Sequence, residues 1–98
     1  MTAIDFIARF FASINKTSLT IPQSGILVAI AAGLDTVEDI ANFLSIKSPA
    51  TASRIIHQLM QKGYVSEEID PLSQLHLYTL TGAGKNAVKE LLNFVPHK

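Results

Sequence analysis

Between Ala3 and Ile14 the apolar residues Ile4, Ile7, Phe11 and Ile14 recur at intervals of three and four, which predicts a helix over 3–14 with one hydrophobic stripe. Phe6 and Phe10 widen the stripe to roughly half the circumference, more than the ~100° face that one packing surface requires. Either the rest of the domain wraps this helix or part of the arc faces a second copy of the chain. The shortness of the chain favours the second copy. The pattern restarts at Thr20-Ile21-Pro22-Gln23, where Thr20 can cap a helix and Gln23, three residues on, can close a capping box. Ile26, Leu27, Ile30 and Ala31 carry that helix to Gly33, a left-handed stop.

Thr36-Val37-Glu38-Asp39 repeats the start signal, with two acids in the first turn where the helix dipole favours them. Val37, Ile40, Ala41 and Leu44 form the buried side of this short third helix. After a tight link, Ser48 is the expected N-cap of a fourth helix over 48–62, and Pro49 its first residue, where a missing N–H costs nothing. Its apolar face is Ala52, Ile55, Ile56, Leu59 and Met60. The opposite face carries Lys47, Ala50, Arg54, His57 and Gln61, with Thr51 and Gln58 beside them, and Gly63 ends the helix.

Beyond Gly63 the period drops from 3.6 to 2. Residues 64–69 and 75–80 read as two strands, joined by the turn chemistry of Asp70-Pro71-Leu72-Ser73-Gln74. Thr81 then caps a last helix over 82–95 whose stripe is Val88, Leu91, Leu92 and Val95, stopped by Pro96. The order is α-α-α-α-β-β-α. Two short helices across a tight turn, followed at once by a hairpin, make a mainly α (α+β) winged helix-turn-helix, with residues 20–80 as the motif and wing. A fourth helix whose outward face is small and polar can enter the ~12 Å major groove closely enough to reach base edges. Arg54 is the candidate for a bidentate contact to guanine, and His57 or Gln58 for a base or phosphate contact. Lys47, Ser48, Pro49, Ala50 and Thr51 lie at the helix's N-terminal end, where a phosphate also meets the dipole. Read structurally, Arg54 and His57 would merely keep a surface helix soluble.

Composition supports one domain over 1–98 with one modest core: 98 residues, 48% hydrophobic and 16% charged. No apolar run is long enough for a membrane span, and Asp5 and Arg9 in the first helix argue against a signal peptide. Cysteine is absent, which excludes a thiolate metal site and thiol sensing and fits a reducing cytoplasm. Eight basic and eight acidic residues balance to zero, so binding to phosphate must depend on where the charges sit.

The run from Leu19 to Lys85 resembles the MarR group of bacterial transcription regulators. The resemblance is carried by "LTIPQ" before the motif, "TVEDIANFLSIKSPATASRIIHQLMQKGYV" across it, "DP" at the wing tip and "LTGAGK" entering the last helix. It implies a dimeric transcription regulator, a repressor by expectation, that binds double-stranded DNA. It also implies that Ser48, Thr51, Ser53 and Arg54 approach the DNA, with Ser73, Gln74 and His76 on the wing, and that the outer helices form the homodimer. The corresponding dimer residues are Ile4, Ile7, Phe10, Phe11, Ile14, Val88, Leu91, Leu92 and Val95.

The wing departs from the family pattern, which places arginines there. From Gly63 to Gly84 there is no lysine or arginine, while Glu67, Glu68 and Asp70 are present and His76 is the sole potential cation. Acids pressed against phosphate repel it at ranges too short for salt to screen. Three arrangements fit: a wing that stands off the duplex, an acidic wing that meets a protein partner, or a winged helix that binds protein in place of DNA. Enzymatic readings find no footing, so no cofactor is expected. His57, His76 and His97 lack metal-ligand spacing, the glycines before Lys85 lack the phosphate-loop spacing, and no serine sits at a strand-to-helix elbow.

Overall fold

Seven elements follow one another in the expected order in the computed structural model, which describes residues 2–17 and 19–92, with side chains at all of these except 10, 11 and 13–17. They are α1 (Ala3–Thr17), α2 (Ile21–Ala31), α3 (Val37–Phe43), α4 (Pro49–Gln61), β1 (Val65–Ile69), β2 (His76–Leu80) and α5 (Gly82–Leu91). The first helix runs three residues past Ile14, since nothing before Pro22 breaks it. Its start is also capped: the Asp5 N–H donates to Thr2 Oγ1 at 3.1 Å, and the Thr2 N–H reaches Asp5 Oδ2 at 3.5 Å. Of the last helix, Leu92 is the C-cap, and Val95 and Pro96 lie outside the described residues.

The second helix is the spine. It is apolar nearly all round, and it packs on α5, α4, α3, α1 and β2. Ile26 and Leu27 are fully buried with Ile40 of α3, Ile56 and Leu59 of α4 and Leu91 of α5, so one core unites the helices. The capping box at its start is complete: the Gln23 N–H donates to Thr20 Oγ1 at 3.2 Å and the Thr20 N–H to Gln23 Oε1 at 3.1 Å. Gln23 is buried, and its Nε2 donates to Gln58 Oε1 of α4 at 3.1 Å, tying the cap to the fourth helix. Gln23→Ala removes both bonds and strands the Thr20 N–H. It is expected to cost about 1–3 kcal/mol, read as a lower denaturant midpoint at unchanged m-value.

Two turns aim α4. Between α3 and α4, Ser45 takes a left-handed conformation (φ +57°), and the Ile46 N–H returns to the Ala41 carbonyl at 2.8 Å. Ile46 is thereby tucked against the core. After α4, Gly63 at φ +82° lets the Tyr64 N–H close on the Leu59 carbonyl at 3.0 Å and turns the chain into β1.

The hairpin is antiparallel, with Val65 opposite Leu80, Glu67 opposite Tyr78 and Ile69 opposite His76. Val65, Glu67, Ile69, His76, Tyr78 and Leu80 share one face, which packs inward at Val65 and Tyr78 and is exposed towards the tip at Ile69 and His76, and Ser66, Glu68, Leu77 and Thr79 form the other face. The Tyr78 N–H also donates to the Asp35 carbonyl at 2.8 Å, which fastens the hairpin to the segment leading into α3. At the hairpin's base Thr81 bonds three ways. Its Oγ1 donates to the Gly63 carbonyl at 2.6 Å and accepts from the Gly84 N–H at 3.1 Å, while its N–H donates to the Tyr64 carbonyl at 3.1 Å. The "LTGAGK" segment is thus the dock between the last helix and the end of α4, and Gly84 lies against the Tyr64 carbonyl.

Candidate nucleic-acid interface

The fourth helix divides along its length as its spacing predicts. Ala52, Ile55, Ile56 and Leu59 are buried and Met60 is half-buried, whereas Ala50, Arg54, His57 and Gln61 are exposed. Ahead of it Lys47, Ser48 and Pro49 are exposed as well. The exposed ridge is narrow: a methyl at Ala50, a guanidinium one turn on, and half-buried flanks at Thr51 and Ser53. Arg54 makes no ion pair among the described residues, so its donors are available to a ligand.

Ser48 occupies the N-cap position with extended backbone, but its hydroxyl makes no capping bond. Its carbonyl accepts from the Thr51 and Ala52 N–H groups at 3.1 and 3.3 Å, and Pro49 has no N–H to offer. The hydroxyl expected to close the helix is therefore free beside the first turn.

His57 has a fixed ring. Its Nδ1 lies 2.7 Å from the Ser53 carbonyl oxygen, and since a carbonyl only accepts, Nδ1 carries the proton. Nε2 is then the atom available to a ligand. Gln58 is half-buried on the flank facing α2, and its amide oxygen accepts from Gln23 Nε2 while its amide nitrogen has no bond among the described residues.

On the other flank a cleft of about 550 Å³ separates α4 from the hairpin, lined by Thr36, Glu38, Asp39, Ser53, His57, Glu67, Leu75, His76 and Tyr78. Here the wing's acids are less free than their number suggests. Glu67 Oε2 lies 3.2 Å from His76 Nδ1. The Tyr78 hydroxyl donates to the same carboxylate, and this bond, with His76 second, holds the Glu67 carboxyl below the usual carboxylate range. Burial first, then the hydrogen bond to Glu67 and its charge, push the Tyr78 phenol up to about 12. Asp70 is engaged within the turn: the Leu72 N–H donates to its Oδ1 at 2.9 Å, and this bond together with the Ser73 hydroxyl lowers its carboxyl. His76, expected as a lone cation on the wing, is thus a partner of Glu67. The cross-strand register supplies the reason, because Glu67 and His76 stand diagonally on one face.

Glu68, on the opposite face, is the wing's exposed acid with no such partner among the described residues. If the wing runs near phosphate, Glu68→Gln should raise non-specific DNA affinity while Glu67→Gln raises it less, measured by titration of a random duplex at low salt. Equal effects would mean that the His76 and Tyr78 contacts do not mask Glu67.

The residues expected to form a dimer divide unequally. Ile4 and Ile7 are 79% and 52% exposed, beside Phe6 at 43%. Val88 and Leu91 belong to the chain's own core, where α5 packs on both α1 and α2, and Leu92 is partly buried against it, so this stripe packs inward. The side chains of Phe10, Phe11 and Ile14, and all of Val95, lie outside the described residues. Among the described residues no helix is long and apolar enough to cross a membrane, and no group of acidic or histidine side chains is placed to hold a metal ion.

Comparison with known proteins places this arrangement. A search of curated sequences found no match. Among solved structures, a variant of Staphylococcus aureus MepR bound to an oligodeoxyribonucleotide superposes with a TM-score of 0.82 at 21% identity, over 93% of this chain and 68% of that one. Apo MarR from Escherichia coli gives 0.79 at 19% identity, over 95% and 70%. YusO from Bacillus subtilis gives 0.78 at 19% identity, over 91% and 64%. At such identities the likeness is one of fold, and the chain spans about two thirds of the length of these proteins. The sequence model of the MarR family matches residues 17–73, from the end of α1 through both helices of the motif to the wing tip. With more than half of its residues in that match, on a winged helix of the same order, the chain belongs to the MarR family.

Proposed function

We propose that this chain is a cytoplasmic, sequence-specific DNA-binding transcription regulator that acts as a homodimer, and as a repressor by occupying its site. α4 enters the major groove, with Arg54 addressing guanine, His57 Nε2 a neighbouring base or phosphate, and Lys47 and the Ser48 hydroxyl the backbone. The observation that carries this reading is the outward face of α4. An arginine with no ion pair among the described residues stands beside the small side chains of Ala50, Thr51 and Ser53 on a helix whose other face is locked into the core. The S. aureus MepR variant of the same fold was solved on an oligodeoxyribonucleotide, which supports the assignment. The exposure of Ile4 and Ile7 on the apolar side of α1 supports a second copy as its cover. In such a dimer the two recognition helices read half-sites about one turn, ~34 Å, apart.

A second reading, a winged helix that docks a protein, is favoured by one observation. The hairpin carries no lysine or arginine between Gly63 and Gly84, and it exposes Ile69, Leu72 and Leu75. Salt separates the two. Binding of a labelled duplex is expected to fall steeply with added salt, log K declining linearly with log salt concentration. Retention of no duplex at low salt would sink the regulator and leave the docking module.

A further inference from the structure

We propose that His57 makes the half-site carry an amino-bearing base, adenine or cytosine, beside the guanine addressed by Arg54, and that proton uptake by its ring abolishes this preference; the proposal rests on the DNA-binding reading above. The seating of the ring carries the argument. Nδ1 stands 2.7 Å from the Ser53 carbonyl oxygen, one turn back, with the Ser53 hydroxyl at 3.5 Å. The other tautomer would set two lone pairs against each other at that distance, so the proton of the neutral ring stays on Nδ1 and Nε2 is left bare. The side chain is exposed, and Nε2 has no hydrogen bond among the described residues. A ring free to turn could present either nitrogen, whereas this one presents a lone pair.

A bare lone pair narrows what the residue can recognise. Phosphate oxygens, guanine O6 and N7, adenine N7 and thymine O4 all accept hydrogen bonds, so each would meet a neutral Nε2 as acceptor against acceptor. The donors on the floor of the major groove are the N6 amino group of adenine and the N4 amino group of cytosine. Arg54, three residues earlier on the same ridge, has only donors. Three residues advance ~4.5 Å along a helix, close to the ~3.4 Å between successive bases. The two side chains therefore address the same or adjacent base pairs with opposite requirements. Proton uptake turns Nε2 into a donor, which suits guanine, thymine or phosphate and no longer accepts from an amino group. The groups that face the ring across the cleft are Glu38 and Asp39 of α3 and Glu67 and His76 of the hairpin, with the Tyr78 hydroxyl bonded to Glu67. No titratable side chain belongs to α2, and Arg54 is the neighbouring charge on α4 itself.

The test is selection of bound duplexes from a random pool at about pH 8.5 and about pH 5, on either side of the range in which histidine changes charge. It compares the wild-type chain with His57→Ala and His57→Lys. At the higher pH the wild type is expected to enrich adenine or cytosine at one position beside the Arg54 guanine. At the lower pH that preference should vanish while the guanine stays, because a guanidinium does not titrate. His57→Lys, a donor at both pH values, should show no amino-base preference at either. His57→Ala should leave the position open at both, and bind the duplex selected at the higher pH about tenfold more weakly there. The exposed position leaves the fold intact, which unchanged melting curves verify. The proposal is overturned by a wild-type motif with guanine and no amino-bearing base at the higher pH, or by an amino-base preference that persists at the lower pH or in either variant. Each of those results leaves the Arg54 contact standing. Failure of the wild type to retain duplex at either pH overturns the regulator reading and the role of His57 with it.

Discussion

Arg54→Ala is expected to weaken binding to the selected site by ~1–3 kcal/mol and to relax the sequence preference at the base it addresses, with no change in thermal midpoint. The two halves of this result have separate causes. The guanidinium is exposed and has no ion-pair partner among the described residues, so its removal strands no buried group. In the proposed complex it would supply two parallel donors to the O6 and N7 of one guanine, which a lysine's single ammonium cannot reproduce, so Arg54→Lys should recover little of the lost specificity. Lys47→Ala is the contrasting variant. An exposed charge beside the helix start should contribute to every sequence alike, lowering affinity uniformly and reducing the salt slope by about one. Both are read by titrating cognate and scrambled duplexes over a range of salt concentrations. If Arg54→Ala weakens the two duplexes equally, the residue contacts phosphate and the assigned base contact is lost.

Gly84→Ala should have the largest effect on the fold. A methyl built on Gly84 collides with the Tyr64 carbonyl oxygen and crowds Leu80 Cδ2. The carbonyl is backbone, already accepting from the Thr81 N–H, and lies in the turn that leads from Gly63 into β1, so it has little freedom to withdraw. Relief requires α5 to lift from that turn, which loosens Ala87, Val88 and Leu91 from the core. A cost of about 3 kcal/mol is expected, or a fall in melting temperature of roughly 12–24 °C for a domain of this size. Gly82→Ala is the internal control: nothing lies within 4 Å of a methyl there. In a helix it should be neutral or slightly stabilising. Similar melting curves for the two variants would show that the close approach at Gly84 is not what positions the last helix.

Much of this architecture was legible because its boundaries are written in local chemistry. Thr20 with Gln23, Thr36 with its following acids, Thr81, and the glycines at 33 and 63 each mark an end that the backbone needs marked. The two faces of α4 followed from period alone, since every residue on them is placed by the same 3.6-residue turn. What escaped depends on partners distant in sequence. The bond that Gln58 accepts from Gln23, 35 residues earlier, has no local signal. The stripe of α5 is apolar whether it meets α2 or a second chain, and periodicity does not say which. The acids of the wing were counted correctly, but the count does not show that two of the three are already engaged. Register could have shown part of it: pairing Ile69 with His76 across the turn places Glu67, His76 and Tyr78 on one face.

The most direct test of α4 as a sequence reader is selection from a random duplex pool at low salt, followed by sequencing of what is retained. Enrichment of an inverted repeat whose half-sites are centred about one helical turn apart, with a guanine in each half that loses its preference in Arg54→Ala, is the expected result. Retention of DNA with no enriched motif would contradict it, leaving a chain that holds the phosphate backbone and does not read bases.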